Sequence, residues 1–220
     1  MTPKVKIAPS LLSADFVRLA DDVRKVEDAG ADWLHVDVMD GHFVPNLTIG
    51  LPVVEALRKI ARRPLDVHIM ISDPVEYAER YVRAGAHVLT CHVETKPEAL
   101  GLIRKAGARA GLAINPETDI ARVRDLLPQA DMVLVMSVHP GFGGQSFMPE
   151  VLPKIERVRS WGFTGDVEID GGIAPGTIGD AAAAGANVFV AGSAVFRSPD
   201  WMATIATLRE TAERRLGVRV

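Results

Sequence analysis

Eight short runs rich in Val, Ile and Leu recur along the chain, at residues 5–10, 33–38, 65–70, 87–92, 109–114, 132–137, 165–170 and 187–192. Their C-terminal ends fall 22 to 33 residues apart, the size of one strand plus one crossover helix. The stretches between them are amphipathic and carry helix punctuation. Ser72-Asp73-Pro74 and Ser198-Pro199 read as starts, and Ala29-Gly30, Ala84-Gly85 and Ala184-Gly185 as ends. A weak internal echo, AGADWLHVD, AGAHVLTCHVE, AGARAGLAIN and AGANVFVAGS, repeats a helix-ending Ala-Gly-Ala ahead of a strand.

Eight such units admit a closed barrel or a doubly wound open sheet. Polar residues recur at the strand ends, at Ser10, Asp37, His68, His92, Asn115, Ser137, Asp170 and Ser193. A closed barrel gathers those ends into one ring, where enzymes of this architecture keep their sites. An open sheet spreads them along a line wider than a small substrate. The expected fold is therefore α/β, a single-domain (β/α)8 TIM barrel over residues 1–220, with no linker or low-complexity stretch to mark a boundary.

A net charge of −3 gives no electrostatic case for nucleic acid or anionic membrane as a partner. A single cysteine, Cys91, excludes an intramolecular disulfide and fits a reducing compartment. No signal-peptide-like stretch precedes Asp15, and the most apolar segment, 181–196, is too short to span a bilayer. These features predict a soluble, cytoplasmic protein.

Strand side chains alternate between faces, so His35, Asp37 and Met39 share one face, as do His68 with Met70 and Glu168 with Asp170. Neighbours at i and i+2 lie ~6.6 Å apart along the backbone, close enough for their side chains to converge on one ion. Two imidazoles (His35, His68) and two carboxylates (Asp37, Asp170) form a mixed N/O set suited to a divalent transition metal. A lone strand histidine is usually a packing residue, and buried ion pairs are the competing explanation for such charges. None of the three strands contains a Lys or Arg, so unpaired ionisable groups there would be costly to bury without a cation. Glu168, one layer below Asp170, reads as support for that set.

Gly171-Gly172 follows the seventh run and Gly192-Ser193 the eighth, the two loops that commonly form a barrel's phosphate site. Glycine lets backbone N–H groups approach phosphate oxygens; tight turns are the plainer explanation for each pair alone. The uncharged loop PGFGGQSF (140–147) reads as a lid, with Gly143 and Gly144 presenting N–H groups to a ligand, and DGHFVPN (40–46) as a second lid. Met39, Met70 and Met136 suit either packing or a dry, polarizable collar around a reacting carbon. His42, His87, His92 and Cys91 lack a second supporting feature. Alternation turns Cys91 away from His92, toward the helices.

The segments IAPSLLSADF, WLHVDVMDGHFVPN, DVHIMISDPVEY, AINPET, MSVHPGFGGQSF, EIDGGI and VAGSAVF, taken together and in order, resemble the ribulose-phosphate 3-epimerase family from about residue 5 to residue 200. The resemblance implies a (β/α)8 barrel that interconverts D-ribulose 5-phosphate and D-xylulose 5-phosphate, in the pentose phosphate and Calvin pathways. It implies His35, Asp37, His68 and Asp170 as ligands of one divalent ion per subunit (Zn²⁺, Fe²⁺, Mn²⁺ or Co²⁺), with Asp37 and Asp170 as the acid–base pair. It assigns substrate contact to Ser10 and His68, the phosphate end to Gly141, Phe142, Gly143, Gly144, Gly172, Gly192 and Ser193, and the collar to the three methionines. Relatives are commonly dimers or hexamers, which implies a homo-oligomer. Two positions depart from the family pattern: His139 in the lid, and Leu51 between Gly50 and Pro52.

The expected reaction removes the C3 proton with one carboxylate and returns a proton to the opposite face with the other, through a 2,3-enediolate. Asp37 is the base and Asp170 the acid in the ribulose-to-xylulose direction. The nearest rival is a 3-epimerase of a related ketose phosphate such as D-allulose 6-phosphate. A Schiff-base aldolase lacks the lysine it needs at a strand end, and a non-catalytic sugar-phosphate sensor leaves the carboxylate pair unexplained.

Overall fold

The structure, a computed structural model, describes residues 3–216. Strands and helices alternate: β1 Lys6–Pro9, α1 Leu19–Asp28, β2 Leu34–Met39, α2 Leu51–Ile60, β3 Leu65–Met70, α3 Pro74–Ala84, β4 Val88–His92, α4 Ala99–Lys105, β5 Arg109–Ile114, α5 Ala121–Arg124, β6 Met132–Met136, α6 Leu152–Ser160, β7 Asp166–Asp170, α7 Ile178–Ala184, β8 Val188–Ala191, α8 Ser193–Phe196 and α9 Trp201–Leu216. The strands form one parallel sheet in the order β1-β8-β7-β6-β5-β4-β3-β2. A Ser10–His35 bridge and the bond from Asp32 N–H to Ile7 C=O bring β1 back against β2, curling the sheet into a nearly closed barrel. Each expected strand is present, within a residue or two of its expected bounds.

Strands such as β6 (MVLVM) and β8 (VFVA) read as unbroken apolar runs because both faces are covered. Leu34, Val36, Leu65, Val67, Ile69, Leu89, Cys91, Val133, Val135, Val167, Ile169 and Phe189 point outward into the main core under the helices. Cys91 lies in that layer, as alternation requires, and burial pushes its thiol up to about 12. The inward column is mixed: small or apolar residues fill part of it, while ionisable side chains descend along β2, β3 and β7.

Helix ends follow local chemistry. The Asp73 carboxylate accepts the Glu76 N–H at 3.2 Å with Pro74 in the first turn, and Gly85 takes φ +129° after the last. The Ser198-Pro199 start is displaced: α9 begins at Trp201, because Asp200 accepts the Ala203 N–H at 3.0 Å and supplies the cap. Leu51 opens α2 after Gly50 and packs against the main core. No described helix is long and apolar enough to cross a membrane.

Candidate active site

Strand register builds the floor of the site. Asp37 stands beside His68 and His35 beside Asp66 across the β2–β3 pair, while β7 brings Asp170 up three strand steps away around the ring. Ligand-capable atoms of His35, Asp37, His68 and Asp170 all lie within 4.8 Å of one another. His35 Nε2 is 3.3 Å from Asp37 Oδ1 and 3.9 Å from Asp170 Oδ2; His68 Nδ1 is 3.6 and 4.0 Å from the same two oxygens. Both nitrogens are buried without a hydrogen-bond partner. Their opposite ring nitrogens are engaged. His35 Nδ1 meets Asp66 Oδ2 at 2.6 Å, and His68 Nε2 meets His92 Nε2 at 2.8 Å.

The floor is rich in negative charge. Asp37, Asp66, Glu168 and Asp170 crowd the two imidazoles, and no described Lys or Arg forms an ion pair with any of the four. Burial opposes charge on His35, yet Asp37 and Asp66 outweigh it and hold the imidazole well above its ordinary pKa. Burial takes His68 down to about 4, aided by neighbouring His92. The two aspartates diverge. Burial works against ionised Asp37, but the charge of His35 holds it below the carboxylate range. For Asp170, burial and then the charge of Asp37 raise the carboxyl to about 7. Burial and Asp66 likewise push Glu168 up. Orphaned imidazole nitrogens facing carboxylates with no basic partner make a cluster that could hold a divalent metal ion.

Above the floor opens a cavity of about 350 Å³. Asp37 and Asp170 reach it, and the Ser10 hydroxyl donates to Asp37 Oδ2 at 2.6 Å from its wall. Met39, Met70 and Met136 all line it. So do Gly141, Phe142, Gly143 and Gly144 on one side and Gly171, Gly172, Gly192 and Ser193 on another. His35 and His68 do not: both are fully enclosed beneath the carboxylates.

Glycine is required at Gly172 for a steric reason. Its φ is +62°, and a Cβ there would sit 2.5 Å from the Phe147 backbone nitrogen, at the end of the 140–147 loop. The 40–46 loop is tied to the 140–145 stretch of the cavity wall, since Asn46 Nδ2 donates to the Gly141 carbonyl at 2.7 Å. Asp40 folds the first loop by accepting the N–H groups of His42 and Phe43 at 2.8 and 2.9 Å. His139 lies outside the wall, its exposed ring 3.4 Å from Glu117.

Sequence reasoning passed over Asp66 and Glu94 and set His92 aside; Asp66 and His92 are fully buried beside the floor and Glu94 is half-buried. Each sits two residues from another inward-facing ionisable residue, a period-2 signal that was present in the sequence. It also passed over Arg197, the sole Lys or Arg on the described cavity wall.

The model of the ribulose-phosphate 3-epimerase family matches residues 6–196. Ribulose-phosphate 3-epimerase of Mycobacterium tuberculosis (strain H37Rv) is 54% identical over 213 residues, covering 94% of this chain and 92% of its own. That of Synechocystis is 46% identical over 220 residues, covering 96% of each chain. Among solved structures, 3-hexulose-6-phosphate synthase from Salmonella typhimurium superposes with TM-score 0.72 at 20% identity, covering 96% of this chain and 99% of its own, a likeness of fold. The family model and these relatives agree with the sequence over almost the whole barrel, so the chain belongs to the ribulose-phosphate 3-epimerase family.

Proposed function

We propose that this chain inverts C3 of D-ribulose 5-phosphate to give D-xylulose 5-phosphate, reversibly, with Asp37 and Asp170 as the acid–base pair. The observation that carries this reading is the placement of two aspartates in one cavity, from β2 and β7, three strand steps apart around the ring, beside two buried imidazole nitrogens that lack partners. His35 Nε2, His68 Nδ1 and an oxygen from each of Asp37 and Asp170 would hold the divalent ion. When bound there, such an ion supplies positive charge that offsets the charge developing on the ketose oxygens.

Inversion needs two groups, since one base tends to return its proton to the face it left. Ionised Asp37, oriented by the Ser10 hydroxyl, takes the C3 proton of ribulose 5-phosphate. Asp170, which reaches the same cavity from β7, delivers a proton to the other face of the 2,3-enediolate. In the reverse direction the roles exchange. Each positioned group supplies ~10²–10⁴-fold, or about 3–5 kcal/mol. That leaves a large remainder for charge stabilisation in a water-poor pocket. The methionines keep the reacting carbon dry, while Gly172, Gly192, Ser193 and the Gly141–Gly144 lid suit the phosphate end, whose binding energy aligns the sugar.

A coupled assay on ribulose 5-phosphate, with solvent deuterium scored at C3, tests this directly. Asp37→Asn and Asp170→Asn are each expected to lose at least about 10³-fold in turnover while keeping wild-type circular dichroism. Near-wild-type turnover in either variant sinks the two-base scheme. Preference for a six-carbon ketose phosphate over ribulose 5-phosphate would instead make the allulose 6-phosphate alternative the correct substrate assignment.

A further inference from the structure

His35 and His68 each turn one nitrogen to the carboxylates and the other to a buried partner. For His35 the partner is a carboxylate, Asp66. For His68 it is a second imidazole, which begins a longer chain. His68 Nε2 lies 2.8 Å from His92 Nε2, His92 Nδ1 lies 3.1 Å from Glu94 Oε2, and Glu94 Oε1 accepts the backbone N–H of Asn115 at 2.9 Å. Both imidazoles are fully buried. The mechanism above uses neither His92 nor Glu94.

Counting protons along this chain fixes every donor. An ionised carboxylate only accepts, so His92 Nδ1 must carry a hydrogen. With one proton per ring, His92 Nε2 is then an acceptor, and the hydrogen between the rings belongs to His68 Nε2. His68 Nδ1 is left with a bare lone pair facing Asp37 and Asp170, and that nitrogen has no hydrogen-bond partner. We propose that Glu94 and His92 are positioning residues that set the tautomer of His68 and so present Nδ1 as a metal-binding lone pair. The proposal rests on the reading that a divalent ion occupies this floor. Carboxylates behind ligand histidines commonly set the ring tautomer and raise ligand basicity; here an intervening imidazole transmits the effect.

The Asn115 N–H makes a nearly isosteric change informative. It demands an oxygen at the Oε1 position, so in Glu94→Gln the amide NH₂ turns to the Oε2 position, facing His92, while the Thr118 side chain that also hydrogen-bonds Glu94 is free to accept its second hydrogen. That group donates to His92 Nδ1, shifts the ring proton to His92 Nε2, and leaves the His68 proton on Nδ1, where it blocks coordination.

The test uses metal-stripped full-length protein labelled with ¹⁵N-histidine. Long-range ¹H–¹⁵N spectra report each tautomer, and competition with a chromophoric chelator reports Co²⁺ and Zn²⁺ affinity. Wild type should carry the His68 proton on Nε2. E94Q should carry it on Nδ1 and bind Co²⁺ about 10–100-fold more weakly, with an unchanged thermal midpoint. Glu94→Asp keeps an acceptor-only group and should recover part of the affinity. E94Q with wild-type affinity, or a wild-type proton on His68 Nδ1, overturns the proposal, and so does equal impairment of E94Q and E94D. Wild type that binds neither ion overturns it as well. Wild type that binds Co²⁺ with the expected tautomers but leaves ribulose 5-phosphate unchanged supports the relay and refutes the epimerase reading.

Discussion

Thr90 and Gly111 face one another across β4 and β5, and the pair shows how little room the barrel interior leaves. A Cβ at Gly111 would sit 2.1 Å from Thr90 Oγ1 and 3.1 Å from Thr90 Cα, so rotating the threonine cannot clear the space. Gly111→Ala should therefore destabilise the protein by about 1–3 kcal/mol, read as a lower urea midpoint at unchanged slope. An unaltered midpoint would mean that the strands part freely. Single residues were legible from the sequence wherever alternation alone placed them, as with Asp37, Asp170 and the three methionines. Glu94 was not, because its role depends on a backbone N–H of Asn115, 21 residues away, that only the fold brings to it.

At the scale of elements, the 40–46 loop braces the 140–145 stretch of the cavity wall. Asn46 in the β2–α2 loop donates to Gly141 in the β6–α6 loop across 95 residues of sequence. The 40–46 loop is also anchored to the next unit, where Asp40 Oδ2 accepts the Ser72 N–H at 2.8 Å. Losing one such hydrogen bond costs about 0.5–1.5 kcal/mol. Asn46→Ala should accordingly raise KM for ribulose 5-phosphate about two- to tenfold and speed hydrogen exchange at residues 141–147. Exchange at wild-type rates would show that the two loops are held independently. The glycines and prolines identified both segments as loops, and strand ends were legible to within a residue or two. The start of α9 was not, because Ser198 and Asp200 compete as caps and local sequence does not rank them.

For the whole molecule, the end of the barrel opposite the active site is held by one carboxylate. Asp166 on β7 accepts from Lys6 Nζ on β1 and Arg109 Nη2 on β5, both at 2.6 Å, and from Asn187 Nδ2 at 2.7 Å. Burial opposes its charge, but those three donors outweigh it and hold the carboxyl below its ordinary pKa. A depressed folded-state pKa adds stability that is present above the unfolded value near ~3.9 and is lost as pH falls through the folded one. Asp166→Asn should lower stability by about 1.5–3 kcal/mol at neutral pH, visible as a thermal midpoint several degrees lower. That gap should narrow as pH drops below about 4. A gap independent of pH would assign the loss to packing alone.

Periodicity and spacing are properties of the chain read in order, so the sequence by itself determined the eight units, the inward or outward sense of each strand residue, and the ring of polar groups at one end. Those are local consequences of a two-residue pleat and of helix punctuation. Only the tertiary structure decided which side chains share a neighbourhood across strands. It sealed His35 and His68 beneath the aspartates, gave His68 an imidazole partner, and left Asp37 and Asp170 with opposite shifts in acidity. Pairwise distances and desolvation depend on register and closure around the ring, and neither is written in any one segment.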